Sequence, residues 1–465
     1  MSEKTKGQER MEELAYSKQN VYEVYSAEKI KKIFEYAEGY KAFLDAAKTE
    51  REAVREGIAM AEKAGFRAYK LGEALKPGDC RYYNNRDKNL FIFRIGEEDL
   101  EQDGIRILAA HIDSPRLDLK QNPLYEDSGM GFFKTHYYGG IKKYQWTAIP
   151  LALHGVVITA DGKSVDVVIG EDESDPVFYV NDLLPHLAQE QMTKPMASAI
   201  AGESLNILVG GMPFADEKAD SKIKLNVLHI LNEKYGIKEA DFMSAELSAV
   251  PAFRARDIGF DRALIGAYGH DDRVCAYPEM TAIFETESKH TVMSILADKE
   301  EVGSAGVSGM QNCFLKDMID LICAARGANP ALVRANSICL SADVNAAYDP
   351  NFADVYERRN SAMISCGTTM SKYTGARGKS GTSDASAEFV ARVRRMFEES
   401  GIVWQTSELG KVDGGGGGTV AMFLANMNID TVDMGVPVIS MHAPYEVVSK
   451  ADVYTTHEAF CAFLK

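Results

Sequence analysis

The segment His290-Thr-Val-Met-Ser-Ile-Leu-Ala-Asp-Lys-Glu-Glu-Val-Gly-Ser304 runs from apolar, β-branched residues into two adjacent carboxylates, Glu300 and Glu301. The part up to Leu296 predicts a buried strand, and the glycines and small residues after Val302 predict a turn that enters a helix. The carboxylates therefore lie where a strand ends, and open α/β sheets place their chemistry there. Such neighbouring charges cost free energy unless a proton or a cation compensates them, although the pair is also typical of a solvated acidic turn.

Length, charge and cysteine content narrow the class of protein. A chain of 465 residues is too long for one ordinary core and favours two domains. Its net charge of −16 has the wrong sign for neutralising phosphates, which argues against nucleic acid as a partner. The most apolar stretch, residues 148–160, is too short to span a membrane, and the polar amino terminus has no apolar signal core. Seven cysteines without a C-x-x-C pair indicate reduced thiols, so we expect a cytoplasmic protein.

Four further apolar segments end on, or just before, a residue that can bind a metal: His111, Asp271, Asp343 and His442. Side chains alternate along a strand, so His111 and Asp113 face the same way, and a carboxylate commonly fixes the tautomer of a metal-binding histidine. The carboxyl ends of parallel strands share one edge of a sheet. We therefore expect a mostly parallel α/β sheet with all five segment ends along one edge.

The residue types at these segment ends suit a site for two metal ions. Two histidines and several carboxylates, without a thiolate, are ligands for zinc, manganese or cobalt. They are too many for a single tetrahedral zinc with an open position. They suit two ions about 3.5–4 Å apart that share a carboxylate and a water, and one carboxylate then remains to handle a proton.

Residues 116–251 differ from the rest of the chain in composition and in hydrophobic pattern. They contain glycines, short β-like runs such as Val165-Asp-Val-Val-Ile169, and a turn-rich acidic stretch over residues 170–175, without a cluster of metal-type ligands. We interpret this region as an inserted, β-rich domain. The other domain is then discontinuous and consists of residues 1–115 and 252–465, of which about the first 66 are predicted to be helical.

Five short motifs occur in order along the chain: His111-x-Asp113-Ser-Pro115, Asp271-Asp272, Glu300-Glu301-Val-Gly-Ser304, Ser341-Ala-Asp343 and Met441-His442. Together they resemble the signature of the aspartyl aminopeptidase family, which includes vacuolar aminopeptidase I. The resemblance implies an α/β, mostly parallel-sheet di-zinc exopeptidase domain that is interrupted by a dimerisation domain. It also implies peptide substrates and self-association into a homo-oligomer, a tetrahedral dodecamer.

The resemblance also implies a distribution of the metal ligands over two zinc ions. By motif match, His111 and Asp343 bind one ion, and Glu301 and His442 bind the other. Asp271 bridges the two ions. Cobalt or manganese remains possible in place of zinc, because the same donor types serve all three metals.

Other residues receive their expected roles from the same motif match. Glu300 is the general base that takes a proton from the bridging water and passes it to the leaving amine, and Asp113 orients His111. His186 matches a substrate-contacting histidine that the inserted domain presents to a neighbouring subunit. Lys372 matches a basic residue of the substrate pocket.

One stretch departs from the pattern of the acid-specific members, which carry histidines after their Ser-Ala-Asp motif. Here the stretch reads Ser341-Ala-Asp-Val-Asn-Ala-Ala-Tyr-Asp-Pro-Asn351, with Ala346 and Asp349 at the histidine positions. A negative charge near the pocket disfavours an acidic substrate. We therefore expect a preference for neutral or basic N-terminal residues.

Two other functions remain open from the sequence. The ligand set would equally serve another dinuclear hydrolase, such as a carboxypeptidase, a dipeptidase or a deacylase. A catalytically silent assembly or cargo protein would keep the same fold. Against the silent protein, every candidate ligand and the Glu300 base are present, so the sequence favours an enzyme.

Overall fold

A nine-stranded sheet forms the centre of the structure, a computed structural model that describes residues 4–465. Within these residues the helices are α1 (Lys6–Leu14), α2 (Val21–Val24), α3 (Ala27–Ala46), α4 (Glu50–Lys63), α5 (Leu100–Asp103), α6 (Gln189–Thr193), α7 (Met196–Ala199), α8 (Lys222–Tyr235), α9 (His270–Glu285), α10 (Phe314–Arg326), α11 (Pro330–Asn336), α12 (Ala387–Glu399), α13 (Ala421–Ala425) and α14 (Lys450–Leu464). None of these helices is both long and apolar enough to span a membrane.

The strands, in chain order, are β1 (Arg67–Ala68), β2 (Cys80–Asn85), β3 (Asn89–Arg94), β4 (Ile105–His111), β5 (Arg116–Asp127), β6 (Met130–Tyr138), β7 (Pro150–Ile158), β8 (Ser164–Ile169), β9 (Phe178–Val180), β10 (Ile207–Gly210), β11 (Ala245–Pro251), β12 (Arg256–Ile258), β13 (Leu264–Ala267), β14 (Thr291–Ala297), β15 (Ile338–Ala342), β16 (Asn345–Ala346), β17 (Thr368–Ser371), β18 (Trp404–Thr406), β19 (Asp430–Gly435), β20 (Pro437–Ile439) and β21 (Glu446–Ser449). Together with the helices they confirm the predicted α/β class.

The middle of the large sheet is parallel. Its strand order is β1-β2-β3-β14-β4-β15-β19-β17-β18. The four central strands β14, β4, β15 and β19 run parallel, and β3 and β17 flank them in antiparallel pairs. In the register, Ala297 at the end of β14 lies opposite His111 at the end of β4. This pairing places the Glu300 turn and His111 side by side.

Apolar side chains on both faces of the sheet pack against helices. Leu108 and Ala110 of β4 belong to a core that includes residues of α3, α4, α9, α12 and α14. Ile107 and Ala109 of the same strand belong to a second core with α10, α11 and α13. This alternation is that of a strand buried on both sides. The resulting three layers hold the carboxyl ends of the central strands rigidly in place.

The amino-terminal helices α1–α4 confirm the helical prediction for that region. The start of α4 shows how local sequence sets a helix boundary. Thr49 Oγ1 accepts the backbone N–H of Glu52, and the Glu52 carboxylate accepts the N–H of Thr49 at 3.0 Å. This capping box satisfies two backbone donors that the first helical turn leaves free.

Strands β5–β11 form a separate, antiparallel sheet within residues 116–251, a segment that we call the insert. Its strand order is β11-β5-β6-β10-β9-β7-β8, and an additional pairing of β7 with β11 closes six of the strands into a ring. Closure leaves few free strand edges. The ring encloses a core of its own, which includes Phe133, Trp146 and Leu153.

The apolar segment that leads to His442 is not one strand, because the chain changes sheets in the middle. β19 ends at Gly435 in the large sheet, and Pro437 begins β20 in a five-stranded sheet of order β12-β13-β21-β20-β16. Proline has no N–H with which to continue a central ladder. Strand β13, which leads to Asp271, belongs to the same small sheet. The prediction that all five segment ends lie along one edge of one sheet is therefore wrong. Three of the ends come from the large sheet and two from the small one.

Glu279 of α9 gives the fold a testable dependence on pH. Its carboxyl is fully buried and accepts hydrogen bonds from Ser294 Oγ at 2.6 Å and from the Ile295 N–H at 2.7 Å. Burial raises its pKa to about 8 despite these bonds. The folded protein therefore keeps a proton that the unfolded chain loses above its own, lower pKa. The stabilisation is fully present below about pH 4 and is lost as the pH rises towards 8.

We expect Glu279→Gln to flatten this dependence, since glutamine cannot ionise. The difference in unfolding free energy between the two proteins should change by a few kcal/mol from pH 5 to pH 8. Urea unfolding at four pH values measures it. Parallel curves for both proteins would contradict the buried, protonated carboxyl.

Candidate metal centre

Two histidines face one carboxylate where the large and the small sheet meet. His111 ends β4, Asp271 lies at the start of α9, and His442 follows β20. Asp271 Oδ1 lies 3.1 Å from His111 Nε2, and Asp271 Oδ2 lies 3.1 Å from His442 Nε2. Asp271 therefore stands between the two imidazoles with one oxygen towards each.

Three more carboxylates complete this cluster. Glu301 Oε1 lies 3.4 Å from His442 Nε2. On the other side, Glu300 Oε2 and Asp343 Oδ1 lie 3.8 and 3.9 Å from His111 Nε2. The structure thus brings together the five predicted ligands and the predicted base, although their segments come from two sheets.

Asp113 connects His111 to the turn that carries the glutamates. Its backbone carbonyl lies 3.0 Å from His111 Nδ1 and its Oδ1 lies 3.3 Å from the same nitrogen. Its two carboxylate oxygens accept the backbone N–H groups of Glu300 and Glu301 at 3.1 and 3.2 Å. Burial alone would raise the pKa of Asp113, but its hydrogen bond with His111 holds that pKa below the usual range. Asp113 is therefore an anion that fixes both sides of the cluster.

The carboxyl groups of the cluster lie close to one another and are largely buried. Burial raises the pKa of Glu301 and of Asp343 well above the usual range, and neighbouring negative charges add to the effect. Burial also raises the pKa of Glu300. Burial lowers the pKa of His442, but the hydrogen bond and charge of Asp271 outweigh it and raise that pKa to about 10. Every one of these groups responds to an excess of negative charge, which a cation would offset.

The nitrogen and oxygen atoms of the cluster are better suited to binding metal ions than to forming hydrogen bonds with one another. Asp271 Oδ1 and Glu301 Oε1 are buried and accept no hydrogen bond of good geometry within residues 4–465, although each lies close to an imidazole nitrogen. Ligand atoms of two groups lie within 4.8 Å of one another: His111 with Asp271 and Glu301, and His111 with Asp272 and Asp343. Imidazole nitrogens and carboxylate oxygens are donors for zinc, cobalt and manganese.

The sequence did not predict two carboxylates that support the cluster from behind. Asp272 Oδ2 accepts the backbone N–H of His111 at 3.4 Å. Glu446 accepts the N–H of His442 at 2.7 Å and the N–H of Asp271 at 3.2 Å. Burial and then the charge of Asp271 raise the pKa of Glu446 to about 8. The Asp271-Asp272 doublet was visible in the sequence, whereas no local pattern marks Glu446.

His186 and Lys372, the predicted substrate-binding residues, lie outside this cluster. His186 is exposed in a short turn of the insert, Pro185–Leu187. Lys372 Nζ pairs with Asp384 at 2.6 Å, and both side chains are about two-fifths exposed. The roles expected for both residues stay predictions.

Comparisons with known proteins agree with this arrangement. The model of the family described as aminopeptidase I zinc metalloprotease (M18) matches residues 43–464. The chain is 50% identical over 454 residues to the probable M18 family aminopeptidase 1 of Clostridium acetobutylicum, covering 96% of this chain and 97% of that relative. The crystal structure of the M18 family aminopeptidase from Thermotoga maritima has a TM-score of 0.92 at 42% identity, covering 97% of this chain and all of the other.

A more distant structure, that of the S. cerevisiae mApe1 dodecamer, has a TM-score of 0.75 at 22% identity. It covers 92% of this chain and 95% of the other. At this level of identity the likeness shows a shared fold. The fold therefore extends well beyond the bacterial relatives.

Proposed function

The chain belongs to the M18 family of aminopeptidase I zinc metalloproteases, and from this premise we propose how its residues remove the N-terminal residue of a peptide. As a zinc-dependent aminopeptidase it is neither the other type of dinuclear hydrolase nor the silent assembly protein that the sequence left open. The observation that carries the proposal is the position of Asp271, with one oxygen 3.1 Å from each imidazole.

We assign the ligands to two zinc ions. His111 and Asp343 would hold one ion, His442 and Glu301 would hold the other, and Asp271 would be shared between them. Two distances support the grouping: Asp343 Oδ1 lies 3.9 Å from His111 Nε2, and Glu301 Oε1 lies 3.4 Å from His442 Nε2. When bound there, two ions would supply Lewis-acid polarisation of the scissile carbonyl and a lowered pKa of the attacking water. Cobalt or manganese fits the same donors.

Glu300 is the proposed general base. Its side chain is 19% exposed and Oε2 lies 3.8 Å from His111 Nε2, so it borders the cluster and stays open to a substrate. Oε2 takes a proton from the attacking water and returns it to the nitrogen of the leaving amine. A carboxyl that must both accept and return a proton works best with a pKa nearer to neutrality, and burial raises that of Glu300. The N–H bond to Asp113 fixes the Glu300 backbone.

We further propose that the chain works as a homo-oligomer, a tetrahedral dodecamer like the family it resembles. The S. cerevisiae mApe1 structure is named as a dodecamer. The insert exposes large apolar side chains, including Val177, Tyr179 and Ile230, that a second copy would cover. Within such an assembly, His186 would reach the site of a neighbouring subunit and Lys372 would line the substrate pocket.

The segment after Asp343 supports a preference for neutral or basic N-terminal residues. Ala346 pairs with Val438 in the small sheet, on the strand that leads to His442. Asp349 Oδ1 accepts the N–H of Asn351 at 2.8 Å and is not paired with a cation within residues 4–465. A carboxylate near the entering residue repels a second carboxylate. A histidine at either position would remove that repulsion or reverse it.

A panel of short peptides tests both the reaction and the preference. Peptides with N-terminal Leu or Lys should be cleaved at least about tenfold faster, in kcat/KM, than those with Asp or Glu. Their N-acetylated forms and samples with a chelator should show no release. Asp349→Asn is the matched variant, since asparagine keeps the bond to Asn351 and removes the charge, and it should narrow the difference. Faster cleavage of the acidic peptides by the unmodified enzyme would overturn the preference.

A further inference from the structure

The last residue of strand β6 and the two that follow it, Tyr138-Gly139-Gly140, lie against three residues of the metal centre one after another. Tyr138 Oη donates a hydrogen bond to Asp113 Oδ2 at 2.8 Å. Gly139 has a φ of +74°, and a Cβ built on it would lie 3.2 Å from Glu301 Oε2. The Gly140 carbonyl accepts a hydrogen bond from His442 Nδ1 at 2.8 Å. These three residues belong to the insert, whereas Asp113 and Glu301 follow strands of the large sheet and His442 follows a strand of the small sheet.

These contacts act on the Nδ1 nitrogen of each histidine, which lies on the side of the ring away from the cluster. His442 donates Nδ1–H to Gly140, which leaves Nε2 as the nitrogen that faces Asp271. His111 is fixed in the same way through Asp113, and Asp113 is in turn held by the Tyr138 hydroxyl. The partner of one imidazole nitrogen decides which tautomer is present and where the other nitrogen points. One segment of the insert thus reaches His442 directly and reaches His111 through Asp113.

The Tyr138 ring is itself held from behind. The Arg116 guanidinium lies 4.2 Å from the ring centroid. Arg116 is buried and forms ion pairs with Glu50 of α4 at 2.7 Å and with Asp118 of β5 at 2.8 Å. A cation stacked on an aromatic face and fixed by two carboxylates restricts the movement of that ring. The hydroxyl of Tyr138 is therefore presented to Asp113 in one defined direction.

Gly139 allows the chain to pass this close to the site. Its positive φ is unfavourable for any residue with a side chain. A Cβ would also lie 3.3 Å from Pro115 Cγ and press on Glu301. Glycine here meets two requirements at once, a left-handed turn and a close approach to a metal ligand.

We propose that Tyr138–Gly140 is a positioning element through which the insert orients both metal-binding histidines and so sets the metal affinity. The inference rests on the ligand assignment proposed above. Tyr138 acts through Asp113, and Gly140 acts on His442 through its carbonyl. Partners of this kind commonly change metal affinity by about 10–100-fold.

Tyr138→Phe tests the first half of the element, because phenylalanine keeps the ring on Arg116 and loses only the hydroxyl. We expect zinc affinity to fall by about tenfold or more in competition with a chromophoric chelator. The visible spectrum of the cobalt-loaded protein should shift, and kcat should fall more than KM rises. Tyr137→Phe is the control, since Tyr137 is 40% exposed and neighbouring side chains on a strand face opposite ways.

Gly139→Ala tests the second half, because Gly139 directly precedes the Gly140 carbonyl that accepts from His442; Gly129→Ala is its control. Gly129 also has a positive φ, +79°, but a Cβ there would meet nothing within 4 Å. Both variants carry the same backbone strain, and only Gly139→Ala presses on Glu301. We expect weaker zinc binding in Gly139→Ala alone.

Two outcomes separate this inference from the assignment on which it rests. Equal zinc affinities and identical cobalt spectra in Tyr138→Phe and Tyr137→Phe would overturn the positioning element and leave the ligands as assigned. A wrong ligand assignment would give a different result: Asp271→Asn would then still bind two zinc ions.

Discussion

Glu300→Gln is expected to abolish most of the peptidase activity while both zinc ions stay bound. Glutamine has the size of glutamate and keeps the backbone N–H that Asp113 accepts at 3.1 Å, but it cannot take up a proton. General acid–base catalysis contributes about 10²–10⁴-fold to a rate. We therefore expect kcat to fall by such a factor with little change in KM, as measured with a free-amine peptide alongside the zinc content of the same sample.

The neighbouring residue supplies the control. The Glu301 side chain is only 2% exposed, and its Oε1 lies 3.4 Å from His442 Nε2, so Glu301→Gln should lose zinc first and activity as a consequence. Excess zinc should then restore part of the activity of Glu301→Gln and none of that of Glu300→Gln. A Glu300→Gln enzyme that lacks one zinc ion would place Glu300 among the ligands and leave the base unidentified.

The position of Glu300 and Glu301 shows that the sequence alone can locate the ends of buried strands. An apolar run that ends on a charged doublet marks the carboxyl end of a buried strand, and β14 ends at Ala297, three residues before Glu300. The same signal located His111 at the end of β4 and Asp343 directly after β15, both in the parallel centre of the large sheet. Burial on both faces makes such strands continuously apolar, which is why they stand out.

The same signal could not tell which sheet a strand joins. Strands β13 and β20 are as apolar as the central ones, yet they pair in the small sheet. Sheet membership depends on which partner lies alongside, and hydrophobic periodicity does not encode that. Tyr138 and Glu446 were missed for a related reason. Tyr138 contacts Asp113 from a strand of the insert, and Glu446 holds Asp271 from 175 residues away.

Asp271→Asn is expected to have the other large effect, a loss of metal binding and therefore of activity. Asparagine keeps the shape of the side chain but offers one oxygen in place of two and carries no charge. The two carboxylate oxygens of Asp271 each lie 3.1 Å from an imidazole nitrogen, so the change affects both halves of the cluster. Loss of a residue that only hydrogen-bonds to a metal ligand commonly lowers metal affinity by about 10–100-fold. Loss of a ligand that two ions share should lower it by more than about 100-fold.

Thermal unfolding gives a readout of this effect that does not depend on activity. A metal that binds only the folded state stabilises it in proportion to the logarithm of its concentration over Kd, so zinc should raise the Tm of the unmodified protein and a chelator should lower it. Asp271→Asn should show neither shift at the same zinc concentration. Asp433→Asn is the control, because Asp433 is a buried acid in β19 whose Oδ1 accepts the Thr419 hydroxyl at 2.6 Å. It should keep the full zinc-dependent shift, since replacing a buried carboxyl elsewhere in the sheet leaves the Asp271 carboxylate intact.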